Sequence, residues 1–197
     1  MDNVGEQEKS SPQEIPLDTQ TAKALGNGLR SIFRNDALSR FLENVKTLKE
    51  KLNTTSDTKR LNAIGSGVNK TIEFVKAFGE SKNVSLIPDN FDWDFKFSEE
   101  KISEGKPEQG EIILDKKLSR QIKLALDHNL NNFLTPILGF SSLIHGSSND
   151  SFVKEKSLFI EVETRSMADK FDSVFQEKEG IRLTTNDKGE TNIQSFK

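Results

Sequence analysis

The feature that most restricts this chain is the return of apolar residues at three- and four-residue steps over long stretches. Leu25, Leu29, Ile32, Phe33, Phe41, Val45, Leu48 and Leu52 follow it, as do Leu61, Ile64, Val68, Ile72, Val75 and Phe78. This is the period of a helix with one face against a core. The spacing predicts a helix from about Asp18 to Leu52, weakened at Gly26 and Gly28, and a second from about Thr58 to Gly79. Residues 53–57 between them form a turn rich in capping residues. A long helix follows from about Lys116 to His145. After a turn at 146–150, a last helix covers about Phe152 to Lys178, with Leu158, Val162, Met167, Phe171 and Phe175 as core positions.

Between the two pairs of helices the period changes. Trp93, Phe95 and Phe97 alternate with Asp92, Asp94 and Lys96, which is the period of a strand. The aromatic residues of that run read as core or as a covering strand. The implied divisions are a disordered tail at 1–17, a first helical hairpin with a short strand at 18–97, and a linker at 98–115. A second helical hairpin covers 116–180, and a C-terminal extension covers 181–197. A short strand is expected at Glu111 to Leu114, and a weak hairpin or a frayed end around Asn186-Asp187-Lys188-Gly189.

The two hairpins echo one another. At a shift of 92 positions Leu38 meets Leu130, Phe41 meets Phe133 and Val45 meets Ile137. At 97, Leu61 meets Leu158, Phe74 meets Phe171, Phe78 meets Phe175, Val84 meets Ile181 and Leu86 meets Leu183. One helical hairpin leaves an apolar stripe bare, and two can close on each other. The fold expected is therefore mainly α: two helical hairpins forming a four-helix bundle, as a pseudo-dimer in one chain or as a homodimer, with minor β elements.

Composition narrows the function. The chain has no cysteine, so thiolate chemistry and disulfides are excluded, and its two histidines stand too far apart for a metal-ligand pattern. The net charge is -3, with no concentrated basic patch, so nucleic acid is not an expected partner. Fourteen Phe with no Tyr place much of the core in Phe. The N-terminus lacks the basic start and apolar run of a secretory signal, and no stretch has the ~18 apolar residues of a membrane span. A soluble, cytoplasmic protein is expected.

Residues 127–144 read Asp-His-Asn-Leu-Asn-Asn-Phe-Leu-Thr-Pro-Ile-Leu-Gly-Phe-Ser-Ser-Leu-Ile. Leu130, Phe133, Leu134, Ile137 and Leu138 form an apolar stripe. His128, Asn132 and Thr135 share another face. A neutral imidazole displayed there is a nucleophile towards phosphorus, and Asn132 can donate to a phosphoryl oxygen or position a water. Pro136 removes a backbone donor and should bend the helix. His145, near the helix end, reads as a partner of the helix dipole.

His128, Leu130, Asn132, Leu134, Thr135, Ile137 and Gly139 resemble the H-box of histidine kinases, on the helical hairpin used for dimerisation and histidine phosphotransfer. The resemblance covers about sixty residues directly. It implies that His128 is the phosphoacceptor, that Asn132 positions the phosphoryl group or a water, that Asn129 orients the ring, and that Thr135 lies on the docking face. It implies a response-regulator receiver domain as partner, with a sensor kinase as a second one. No cofactor of its own is implied, Mg²⁺ being expected in the receiver. Two departures stand out. The family has Asp or Glu directly after the histidine, where this chain has Asn129. Nothing after residue 178 resembles the Asn- and Gly-rich boxes of the ATP-binding domain, so no autokinase activity is expected. The echo also places Asp36, not a histidine, opposite His128. Two other functions fit the same residues: a non-catalytic adaptor that binds or sequesters a receiver or kinase, and a phosphatase of a phosphorylated receiver.

Overall fold

A computed structural model describes residues 13–89, 92–102, 105–176 and 180–196. Among them the chain runs β1 (Ile15–Leu17), α1 (Thr19–Phe33), α2 (Asn35–Lys51), α3 (Thr55–Glu80), β2 (Val84–Asp89) and β3 (Asp92–Phe97). It continues as β4 (Gly110–Leu114), α4 (Lys116–Ser147), α5 (Ser151–Val174), β5 (Gly180–Thr185) and β6 (Thr191–Phe196). The strands form two three-stranded antiparallel sheets, β1-β2-β3 and β4-β5-β6. The fold is thus mixed α/β, and the expectation of a mainly α four-helix bundle of two hairpins is wrong.

The reason lies in how the strands assemble: β1, at the end of the predicted tail, was not expected, and the strand expected at Glu111 to Leu114 is β4, which pairs with the C-terminal hairpin to make a second sheet. Residues 1–12, the rest of that tail, lie outside the described residues. The C-terminal extension is a hairpin whose turn is held by the Asn186 side chain. Its Oδ1 accepts the N–H groups of Lys188 (3.0 Å) and Glu190 (2.9 Å), and Gly189 takes a φ of +80°.

The helices begin where the capping chemistry places them. Asp18 accepts the Thr21 N–H at 2.9 Å, and Asp115 accepts the Leu118 N–H at 2.8 Å. Thr54 caps α3 through the Asp57 N–H, and Asp150 caps α5 through the N–H groups of Phe152 and Val153. α1 runs without a break through Gly26 and Gly28, where its pattern is weakened. Gly28 instead admits the far sheet, since a Cβ there would clash with the Ile193 side chain. The break falls at Arg34, whose φ of 38° separates α1 from α2. α4 runs on through Pro136 as one element.

The molecule is two copies of one plan: strand, helical hairpin, strand hairpin. Ile15 pairs with Leu86 and Leu17 with Val84, just as Ile112 pairs with Leu183 and Leu114 with Ile181. An aspartate caps the first helix in both copies. The helical stretch Thr19–Lys51 is one residue longer than Lys116–Ser147, and the surplus sits at the Arg34 kink. These registers replace the shift of 92 with one of 97 along α1. The counterpart of His128 is therefore Ser31, not Asp36. Beyond the kink, Leu38, Phe41, Val45 and Leu48 fall on Leu134, Ile137, Ser141 and Ile144, all buried.

Each half lends its sheet to the other. β3 packs on α4, and β6 on α1. Phe78 packs edge-on against Phe95 and Phe97, at 4.8 and 5.0 Å between ring centroids, and Phe74 joins them to Phe133 of α4. Such ring pairs add about 0.5–1.5 kcal/mol each beyond area burial. α3 and α4 approach backbone to backbone at Gly67, where a Cβ would meet the Phe133 carbonyl oxygen at 2.6 Å. The Phe-rich core is as expected: Phe33, Phe41, Phe78 and Phe175 are among the largest fully buried side chains. Leu158 and Val162 are not core, being 43% and 52% exposed. Among the described residues no helix is long and apolar enough to cross a membrane.

Candidate functional site

The face of α4 opposite its buried stripe carries His128, Asn132, Thr135 and Gly139. Leu130, Leu134, Ile137, Ser141 and Ile144 point inward, at steps of three and four. On a helix that stripe leaves the other four positions on the outside. His128 is partly exposed, and Asn132 and Thr135 are exposed. The Asn132 Nδ2 lies 3.4 Å from His128 Nε2, so the two side chains present one polar surface.

Asn129 does something other than orient the ring. Its two amide hydrogens go to the Ala125 carbonyl oxygen (2.9 Å) and to Asp94 Oδ1 (2.6 Å). Asp94 stands on β3, and the same Oδ1 accepts the Phe95 N–H at 2.7 Å. The carboxylate is thereby held in one orientation on the flank of α4. Asp89, at the end of β2, completes the group: one ligand atom each from Asp89, Asp94 and His128 lie within 4.8 Å of one another. Two carboxylates and an imidazole nitrogen are also a donor set that a divalent cation takes. Asp127, directly before the histidine, is engaged elsewhere, in an ion pair with Lys123. The second histidine, His145, brings Nδ1 to 3.1 Å from the Lys154 carbonyl oxygen and so bridges α4 to α5.

The predicted residues therefore separate: His128 stands with Asn132, and Asn129 turns away to Asp94, which was not among them. Thr135 lies further along the same face. Asp89 and Asp94 were missed by sequence reasoning. Their one local sign is the alternation in which Asp94 and Lys96 oppose Trp93, Phe95 and Phe97. That alternation marks Asp94 as facing away from the sheet's aromatic side, without saying which helix it meets.

The outward faces of α4 and α5 are partly apolar. Leu143 on α4 is 51% exposed, and Leu158 and Val162 lie on the outer face of α5. The two helices pack side by side after a short turn. Comparison with family models, with curated proteins and with solved structures gives no match to this chain.

Proposed function

We propose that the protein is a phosphotransfer module in which His128 exchanges a phosphoryl group with the receiver domain of a response regulator. The observation that carries this reading is the His128 imidazole on the outer face of a regular helix, with the Asn132 amide 3.4 Å from Nε2. A buried or uncoiled His128 would have removed its basis. A neutral ring nitrogen attacks the phosphorus of the receiver's aspartyl phosphate. The N–P bond forms as the P–O bond to the receiver carboxylate breaks, and the carboxylate leaves with the electron pair. Mg²⁺ comes with the receiver. Asn132 donates to a phosphoryl oxygen. Thr135, Gly139, Leu143, Leu158 and Val162 offer the receiver a surface of mixed polarity, and the cytoplasm is where such an exchange takes place.

The test uses a panel of receivers carrying labelled phosphate. Acid-labile label appears on the wild-type chain and is absent from His128→Gln. No label from any receiver sinks the proposal. A second reading, the non-catalytic adaptor that sequesters a receiver or a kinase, is favoured by the exposed Leu143, Leu158 and Val162. It predicts receiver binding without label and a loss of binding in Leu158→Lys. A third, receiver phosphatase activity, predicts free phosphate whose release fails in Asn132→Ala.

A further inference from the structure

We infer that Asp94, carried by the strand hairpin of the other half, is the positioning residue for His128, an inference that rests on the phosphotransfer reading. The helix has no acid beside the histidine: Asn129 is an amide, and Asp127 is paired with Lys123. The carboxylates nearest the ring arrive on β2 and β3, as Asp89 and Asp94, within 4.8 Å. That distance is spanned by one water or by a small turn of the ring. Asn129 fits this assignment, because its amide grips Asp94 at 2.6 Å from the helix that bears the imidazole. A carboxylate so placed holds an imidazole in one tautomer and offsets the positive charge that grows on the ring as its nitrogen attacks phosphorus.

The molecule contains its own control. Ser31 stands as far beyond the capping Asp18 as His128 stands beyond Asp115. Asn192 pairs with Thr184 as Asp94 pairs with Ile87 in the matching register, and Asn186 follows β5 where Asp89 ends β2. Ser31, Asn186 and Asn192 line one cavity between α1 and the β5–β6 hairpin. The matched positions carry Ser, Asn and Asn in one site and His, Asp and Asp in the other, so the shared register accepts amides where the second site has carboxylates.

The experiment measures single-turnover phosphoryl transfer at saturating receiver, together with receiver affinity. Asp94→Asn is expected to slow transfer by roughly tenfold or more, within the range of positioned acid–base groups, while affinity stays within twofold. Asp94→Glu keeps most of the rate. The exchange variant Asn129→Asp with Asp94→Asn puts the carboxylate back on the helix and recovers most of the lost rate, which a merely structural role would not do. Asn192→Ala, at the counterpart position of the other half, leaves transfer unchanged. If Asp94→Asn transfers at the wild-type rate while His128→Gln is inert, the inference falls and the phosphotransfer reading stands. If Asp94→Asn is slow and the exchange variant is equally slow, the inference also falls. If the wild type takes no label, the reading beneath it falls.

Discussion

The two halves of the molecule share a plan and differ in chemistry. Both begin with a short strand, cap their first helix with aspartate, and end in a strand hairpin that packs on the other half's long helix. The first half interrupts that helix at Arg34, and the second runs unbroken through Pro136. The first half sets Ser31 in a cavity it shares with Arg30, Asn186, Glu190 and Asn192, and the second sets His128 beside Asp89 and Asp94. Their outer surfaces differ as well. Leu158 and Val162 of α5 correspond to Asn62 and Ser66 of α3, which line a groove edged by Lys46, Lys49 and Lys70. A plan repeated in two halves lets their exposed residues differ, because the pairing of the halves depends on the buried positions and not on the exposed ones.

The largest effect expected to separate the halves is on labelling. His128→Gln should lose all transferred phosphate and Ser31→Ala none. Label surviving in His128→Gln would put the phosphoacceptor elsewhere. In stability, Phe78→Ala should cost about 4 kcal/mol and Phe175→Ala about 3 kcal/mol, from urea midpoints. Phe78 meets three other rings, and Phe175 meets Phe171. Equal costs would show that the aromatic cluster of the first half adds nothing specific.

The two caps give a smaller and matched effect. Asp18→Ala and Asp115→Ala should each cost about 1 kcal/mol, and a large gap between them would break the equivalence of the halves. Asp18 also has a pH signature. Burial pushes its carboxyl up, but bonds from the Thr21 hydroxyl and from the Thr21 and Gln20 backbone outweigh this and hold it below the ordinary 3.8. A lowered folded value means that the unfolded chain takes up the proton first. The contribution is therefore complete above the ordinary aspartate value and is lost as the pH falls through the folded one. Acid titration of stability should show this loss in the wild type and a smaller one in Asp18→Asn. The smallest change is at the kink. Arg34→Gly should raise stability by about 0.5 kcal/mol, since glycine takes a positive φ without strain. The ion pairs lost, with Asp36 and at 3.8 Å with Glu163 of α5, are at or near the surface and weak. A drop in melting temperature would show that the kink is held by that side chain.

Much of the helical part was legible from local pattern, and its errors have local causes. Leu158 and Val162 keep helical spacing but face outward. The inward face of α5 holds Ser157 and Thr164, whose hydroxyls donate to the Val153 (2.7 Å) and Ile160 (2.6 Å) carbonyl oxygens one turn back. Polar residues satisfied within their own helix are buried at little cost and look like surface in a sequence. The echo between the halves was visible, but apolar residues recur often enough for a wrong shift to match; the strand registers and the first caps select 97, and the second caps, Thr54 and Asp150, select 96 beyond the kink.

What residues a few positions apart can decide was decided there: where helices start, the turn at Asn186 to Gly189, and the place of His128 and Asn132 on one helix face. These depend on bonds that close within a turn or two of chain. The sheets, the buried side of α5 and the approach of Asp94 to Asn129 belong to the tertiary structure. They join segments far apart in the chain, and such contacts form only when burial across the whole molecule offsets the entropy of bringing them together.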